Sequence, residues 1–239
     1  MKQYFKSILA VLALVIAVAY SASQNQNKGP TNASQRSDAG ELASDASGDF
    51  DFYVLSLSWS PTYCTEKGNG ATQEQQCTAK RPFAFVLHGL WPQNETGWPE
   101  NCTGDYPERI DSNIADEMLD IMPSRSLVFH EWKKHGRCSG LSPENYFALS
   151  RKALAQVSIP DAFTNLASFK TVKPDDVEMA FKTANPKLQS NAIAVTCSNR
   201  YLREVRICMN KALSFRPCPE VDGQSCRAAK TIMPPVRGS

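Results

Sequence analysis

Residues 129–138 read FHEWKKHGRC and carry His130 and His135, two of the three histidines in the chain. The third, His88, stands in FAFVLHGLWP at residues 83–92. Histidine is the only side chain whose unperturbed pKa lies between about 5 and 8. A chain that gathers all its histidine into two short segments is therefore expected to use it for proton transfer or for metal binding.

The spacing within 129–138 favours proton transfer. On a helix, Glu131 and His135 share one face. His130 and Lys134 share another, about 100° away, so all four side chains can border one cleft. A helical zinc site needs histidines at i and i+4, whereas these stand at i and i+5, about 140° apart. We therefore expect no metal here, with chelation kept as the alternative.

The second segment combines a histidine with a glycine and an aromatic ring. His88 follows an apolar run and is expected at the end of a strand, where an isolated histidine is more often a satisfied core residue. Gly89 permits close backbone approach, and Trp91 offers a surface for stacking. Together these residues favour a site that binds a flat ring.

The first 48 residues are predicted to lie outside the folded domain. Residues 1–23 have the basic start, short apolar centre and small-residue end of a secretory signal peptide. Their apolar run is shorter than the roughly 20 residues of a membrane span, so an uncleaved anchor is the less favoured alternative. Residues 24–48 are polar and predicted to form a flexible leader. Removing Lys2 and Lys6 lowers the formal charge from +2 to zero, so any nucleic acid must bind at a local site.

The remaining chain mixes strands and helices without a regular alternation, which indicates one α+β domain over residues 49–239. Periodicity and turn residues predict strands at 50–59 and 83–87, a loop at 92–107, helices at 110–122, 142–157 and 174–184, and a hairpin of 193–197 with 205–209. The chain has eight cysteines, all beyond the signal. They predict disulfides and an oxidising compartment, although their spacing leaves the pairing open.

Two signatures resemble those of the ribonuclease T2 family. Residues 88–92, HGLWP, are similar to the first signature, and residues 130–136, HEWKKHG, are similar to the second. Residues 56–61 and 138–140 extend the likeness, which covers nearly the whole domain. The resemblance implies a central antiparallel β-sheet flanked by α-helices and held by disulfides. It also implies a secreted or periplasmic endoribonuclease that acts as a monomer.

The resemblance further implies the reaction. The ribose 2′-OH of single-stranded RNA attacks its own phosphate, which gives a 2′,3′-cyclic phosphate and then a 3′-phosphate, without cofactor or metal. By resemblance His135 is the base, His88 is the acid, and Glu131 completes the catalytic set. The resemblance assigns the transition-state phosphate to His130 and Lys134 and a nucleobase to Trp91.

The cysteine pairing is also implied by the resemblance. The pairs are Cys64–Cys77, Cys102–Cys138, Cys197–Cys226 and Cys208–Cys218. One position departs from the family, because Arg137 stands where a threonine is usual. We expect Arg137 to be a solvated surface charge, with a cation beside the substrate groove as the alternative.

Three other functions compete with the ribonuclease. They are an inactive relative that binds RNA or a protein, a metal-dependent phosphoesterase, and a disulfide-rich structural domain. The first is disfavoured because every catalytic residue type is present. The second predicts sensitivity to chelators. The third explains the cysteines but leaves the clustering of the histidines without a reason.

Overall fold

The computed structural model describes residues 48–78 and 82–236. The strands are β1 (Phe52–Trp59), β2 (Phe85–Gln93), β3 (Lys170–Val172), β4 (Ile193–Ser198), β5 (Tyr201–Met209) and β6 (Thr231–Met233). They form one sheet in the order β2-β1-β5-β6-β3, and β4 pairs with β5. Every pairing is antiparallel except a short parallel contact between β5 and β6. The predicted α+β fold is confirmed.

Six α-helices surround this sheet within the described residues. They are α1 (Ser60–Lys67), α2 (Ser112–Glu117), α3 (Arg125–Lys134), α4 (Pro143–Ala155), α5 (Pro174–Ala184) and α6 (Pro219–Asp222). The predicted start of α4 is confirmed: Ser142 is the N-cap and accepts a hydrogen bond from the Asn145 N–H. Ser124 caps α3 in the same way, and its hydroxyl accepts from the Leu127 N–H.

The two faces of the sheet have different roles. Tyr53, Leu55 and Leu57 alternate along β1 and belong to the main hydrophobic core. Val54 belongs to a smaller apolar cluster on the opposite face, and Ser56 is also completely buried. This second face carries more polar side chains, and it forms the floor of the cleft described below.

Strand β2 is longer than the sequence predicts. The prediction ended the strand at residue 87 and placed 92–107 in a loop. The strand instead continues to Gln93, with Trp91 opposite Val54 and Pro92 opposite Tyr53. A proline is tolerated there because β2 lies at the edge of the sheet.

Helix α2 is shorter than predicted. The periodicity indicated a helix over 110–122, and the helix covers only Ser112–Glu117. The Arg151 guanidinium donates to the Glu117 carbonyl at 2.7 Å, and the Met118 N–H turns back to the Ala115 carbonyl. Met118 and Met122 still enter the core, so the apolar period reflects burial beyond the end of the helix.

The predicted signal and nearly all of the predicted leader lie outside the described residues. Gly48 is the exception, because the prediction placed it in the leader and the structure packs it against the domain. Its N–H donates to the Ser139 carbonyl at 3.1 Å, and a Cβ atom there would meet the Cys138 carbonyl oxygen at 2.1 Å. Among the described helices, none is long and apolar enough to cross a membrane.

Four disulfides cross-link the domain, and they suit an oxidising compartment. They join Cys64 to Cys77, Cys102 to Cys138, Cys197 to Cys226 and Cys208 to Cys218. These are the pairs that the resemblance implies. The bond at Cys102 ties the loop after β2 to the turn that follows α3.

Candidate active site

A cleft of about 400 Å³ opens on the polar face of the sheet, with α3 along one side. This volume is in the range of small-ligand sites. All six side chains selected from the sequence line it: His88, Trp91, His130, Glu131, Lys134 and His135. The structure thus brings both signatures into one site.

The sequence predicted that His88 lies at the end of a strand, but it lies within β2. The register of β1 and β2 shifts at this point, so that Ser56 faces Gly89 while Leu57 faces Leu87. His88 is the extra residue, which leaves it without a partner across the strand. Such a bulge redirects a side chain, and the His88 ring here reaches Glu204 on β5.

Glu204 is a site residue that the sequence analysis missed. Its Oε1 lies 2.7 Å from His88 Nδ1, and its Oε2 accepts from Arg206 Nη2 at 2.9 Å. Glu204 is only 1% exposed. Burial raises its pKa, but the hydrogen bond of His88 and the charge of Arg206 outweigh burial and lower the pKa to about 2. The available signal was an acidic residue between Arg203 and Arg206, directly before the strand predicted at 205–209.

The two histidines across the cleft have oppositely shifted pKa values. Burial lowers the pKa of His88, but the Glu204 hydrogen bond and the Glu131 charge outweigh it, and the pKa is raised. Burial and the positive charge of Lys134 lower the pKa of His135 to about 3. His88 therefore favours its protonated form and His135 its neutral form.

His135 closes α3 instead of lying within it. The helix ends at Lys134, and His135 is the C-cap, with its N–H donating to the Glu131 carbonyl at 2.9 Å. Its Nδ1 is buried and makes no hydrogen bond to any described residue. Its ring stacks on Trp91, with centroids 5.2 Å apart and planes 29° apart.

Glu131 lies at the back of the cleft and is 1% exposed. Its Oε2 accepts from Trp91 Nε1 at 2.7 Å, and its Oε1 lies 3.5 Å from His88 Nε2. Burial raises its pKa to about 7. A Cβ atom on Gly89 would lie 2.0 Å from Glu131 Oε2, so the absence of a side chain at Gly89 makes this contact possible.

The Trp91 ring is heavily engaged within the protein. Besides stacking on His135, it meets the His88 ring edge-on at 5.3 Å, and the Arg206 guanidinium lies 5.1 Å from its centroid. Trp98, which the sequence analysis did not select, also lines the cleft and is 51% exposed. Trp98 therefore offers a freer aromatic surface than Trp91.

The two lysines at the end of α3 lie in different places, one in the cleft and one outside it. Lys134 lines the cleft and lies 3.3 Å from Glu100. Lys133 is more exposed and pairs with Glu108. His130 also lines the cleft, and burial together with the charge of Lys134 lowers its pKa.

Arg137 does not fit either expectation. Its side chain is only 14% exposed, so it is not a solvated surface charge. It lines a separate surface pocket near Cys102 and Tyr106 and is not among the residues of the cleft. The turn after His135 directs the Arg137 side chain away from the cleft.

A second cavity of about 330 Å³ adjoins the cleft. The two share His88, His130, Arg203 and Glu204. The rest of this cavity is lined by a mixture of polar, aromatic and aliphatic side chains, such as Gln76, Tyr63 and Leu127. One ligand group can thus lie in the cleft and another in the second cavity, with His88 between them. Over the described residues, no group of three or more His, Cys, Asp or Glu side chains is arranged to hold a metal ion.

Comparisons with known proteins agree with one another. The model of the ribonuclease T2 family matches residues 50–218. A ribonuclease of Aeromonas hydrophila is 36% identical over 168 residues, covering 69% of this chain and 74% of the relative. Extracellular ribonuclease LE of Solanum lycopersicum is 30% identical over 207 residues, covering 76% and 86%. The crystal structure of RNase NT in complex with 5′-AMP has a TM-score of 0.56 at 25% identity, covering 78% of this chain and 99% of that one.

Proposed function

This chain belongs to the ribonuclease T2 family and is an endoribonuclease, and we propose that the cleft around His88 and His135 carries out its reaction. The observation that carries the proposal is the pair of histidines with oppositely shifted pKa values, both in contact with the Trp91 ring. Titratable groups whose environments separate their pKa values are typical of acid–base pairs.

Neutral His135 takes the proton of the ribose 2′-OH as this oxygen attacks the adjacent phosphorus. Protonated His88 gives a proton to the departing 5′-oxygen, and a 2′,3′-cyclic phosphate forms. In the second step the roles reverse, and water opens the ring to a 3′-phosphate. Each proton transfer is worth about 10²- to 10⁴-fold in rate. DNA lacks the 2′-OH nucleophile and is not a cleavage substrate.

Three side chains on α3 face the phosphate in this proposal. Lys134 and His130 donate to the oxygens that gain charge in the transition state. Glu131, whose pKa is raised to about 7, is partly protonated near neutral pH and can donate as well. Preorganised donors of this kind are worth several kcal/mol because they need no reorganisation during the reaction.

The substrate is single-stranded RNA that occupies both cavities. His88 and His130 line the cleft and the second cavity, so the scissile phosphate lies at their junction with one nucleotide on each side. The similar RNase NT forms a complex with 5′-AMP, which supports the binding of a nucleotide by this fold. A base stacks on Trp98 at the open end of the cleft, while Trp91 mainly supports the catalytic side chains.

Residues 49–239 act as one catalytic domain in this proposal, and the enzyme works as a monomer, without metal or cofactor. The predicted signal peptide directs it to the periplasm or the outside of the cell. The four disulfides support an oxidising destination.

A substrate with an activated leaving group separates the two histidines. A nucleoside 3′-(4-nitrophenyl phosphate) expels a stable phenolate that needs no protonation. We expect His88→Ala to lose about 10²-fold or more on RNA and to recover most of its activity on the nitrophenyl ester. His135→Ala should lose activity on both. Equal losses of His88→Ala on both substrates would contradict the assignment of the acid.

Neighbouring lysines provide a matched test of phosphate binding. Lys134→Ala is expected to lower kcat about 10²-fold or more, which is the effect of removing one transition-state donor. Lys133→Ala removes the same charge from the same helix outside the cleft, and it should keep nearly all the activity. Similar losses in both variants would show that net charge, and not contact with the phosphate, is responsible.

A further inference from the structure

Buried Glu204 and half-buried Arg206 form an ion pair behind His88 that no family signature in the sequence includes. Both signatures lie on β2 and α3, whereas this pair comes from β5, two strands away from His88 in the sheet. Glu204 is 1% exposed, and Arg206 Nε and Nη2 both donate to its Oε2 at 3.1 and 2.9 Å. A buried carboxylate is costly unless it is paired and hydrogen-bonded, and Arg206 supplies this pairing.

The other carboxylate oxygen of Glu204 faces His88. Its Oε1 lies 2.7 Å from Nδ1. Because ionised Glu204 only accepts hydrogen bonds, Nδ1 must carry a proton. The hydrogen bond therefore fixes the ring orientation, and Nε2 is the nitrogen left for the substrate.

We propose that Glu204, held by Arg206, is a positioning residue that keeps His88 protonated and correctly oriented for its role as acid. The inference rests on the proposed function, because it explains how one of the two histidines acquires its role. The bulge at His88 contributes to the arrangement, because it lets both His88 and Trp91, three positions apart, line the cleft, which strict alternation would not allow.

Other charges around His88 act on it as well. Glu131 lies 3.5 Å from Nε2 and also favours the protonated ring, whereas Arg203, 3.7 Å from Glu204, opposes it. The remaining charged or titratable groups of the cleft are His130, Lys134 and His135 on the α3 side and Glu100 on the loop. Glu204 is the one that bonds to Nδ1.

Glu204→Gln tests the proposal because it keeps the shape and an acceptor oxygen but removes the charge. The matched control is Glu178→Gln, another carboxylate that accepts from the Val195 N–H and from Ser225 but lines neither cavity. Two quantities are measured: the pKa of His88 by NMR titration, and the pH profile of kcat/KM on RNA. The NMR titration requires no activity.

We expect the His88 pKa to fall by about 1 to 3 units in Glu204→Gln, the effect of losing a nearby opposite charge. Cleavage requires protonated His88, so the alkaline limb of the profile should move to lower pH by the same amount. Glu204→Asp should restore part of this shift. The nitrophenyl ester should be cleaved by Glu204→Gln almost as well as by the unaltered enzyme, and Glu178→Gln should leave both quantities unchanged.

An unchanged His88 pKa in folded Glu204→Gln would overturn the inference, as would a loss of activity that is equal at every pH. Failure of the proposed function looks different. In that case His88→Ala stays inactive on the nitrophenyl ester, whatever Glu204→Gln does. If His88→Ala recovers on the ester while the Glu204→Gln profile is unmoved, only the role of Glu204 is wrong.

Discussion

Removal of the Cys102–Cys138 disulfide should reduce activity by more than the accompanying loss of stability would explain. Its two cysteines are 36 residues apart in sequence, and those of Cys197–Cys226 are 29 apart. The loop-closure relation gives a loss of about 3.8 kcal/mol for the first bond and about 3.6 kcal/mol for the second. The two double-serine variants are therefore nearly matched in the free energy of unfolding.

The two variants differ in the part of the molecule that the missing disulfide would hold in place. Cys102 closes the loop that carries Trp98 and Glu100 along the cleft, and the Asn101 N–H in that loop donates to the Lys134 carbonyl at 2.8 Å. Cys138 follows closely after the end of α3, where Lys134 and His135 line the cleft. Displacement by about 1 Å at such a site costs up to about 10²-fold, so we expect kcat/KM to fall about 10- to 100-fold when this bond is removed.

The assay compares two double variants, Cys102→Ser/Cys138→Ser and Cys197→Ser/Cys226→Ser. Urea unfolding at 25 °C measures stability, and cleavage of a fluorogenic single-stranded RNA measures kcat/KM in the folded range. The second variant should remain within about twofold of the parent, since no residue of β4, which this disulfide ties to Cys226, lines either cavity. Equal activity of the two folded variants would refute a role of the first disulfide in positioning the cleft.

Three further outcomes are expected. The kcat/KM profile should rise with pH as His135 loses its proton, at a pKa of about 3. It should fall as pH passes the pKa of His88, which is raised from its ordinary value, so an acid-to-neutral optimum results. Gly89→Ala should cost about 1–3 kcal/mol of stability and most of the activity, because its Cβ would collide with Glu131 Oε2 at 2.0 Å. Trp98→Ala should raise KM about tenfold through the loss of one base stack.

Controls for the last two variants come from the same chain. Gly70→Ala adds a Cβ that meets nothing within 4 Å, and it should leave urea unfolding and activity unchanged. Phe169→Ala removes an exposed ring, 64% accessible, outside both cavities. A kcat/KM profile that stays level into the alkaline range, a fully active Gly89→Ala, or equal KM values for Trp98→Ala and Phe169→Ala would each contradict the corresponding expectation.

Local signals in the sequence predicted local structure well. The Ser142 cap and Pro143 start define α4 through contacts within one helical turn, and α5 begins and ends at the predicted residues. The hairpin of β4 and β5 follows from alternation and a short turn. The short strands β3 and β6 were not predicted, because each has only three residues and exists through pairing with a distant segment.

The two signatures predicted six of the side chains that line the cleft, but they gave neither Glu204 and Trp98 nor the arrangement of the side chains. The bulge at His88 is a property of two paired strands, so the sequence of β2 alone does not reveal it. Alternation in β5 shows that the side chains of Glu204 and Val205 point to opposite faces of the sheet. It gives no information about which side chain Glu204 contacts there. Trp91 was expected to stack on a base, while its contacts with Glu131 and His135 depend on tertiary packing.

The most direct test of the account is cleavage of single-stranded RNA by the mature enzyme in excess EDTA, with the product ends identified by mass spectrometry. The two-histidine mechanism predicts full activity and ends that carry a 2′,3′-cyclic phosphate or a 3′-phosphate. Loss of activity in EDTA, or 5′-phosphate ends, would contradict the two-histidine mechanism and make the histidines metal ligands.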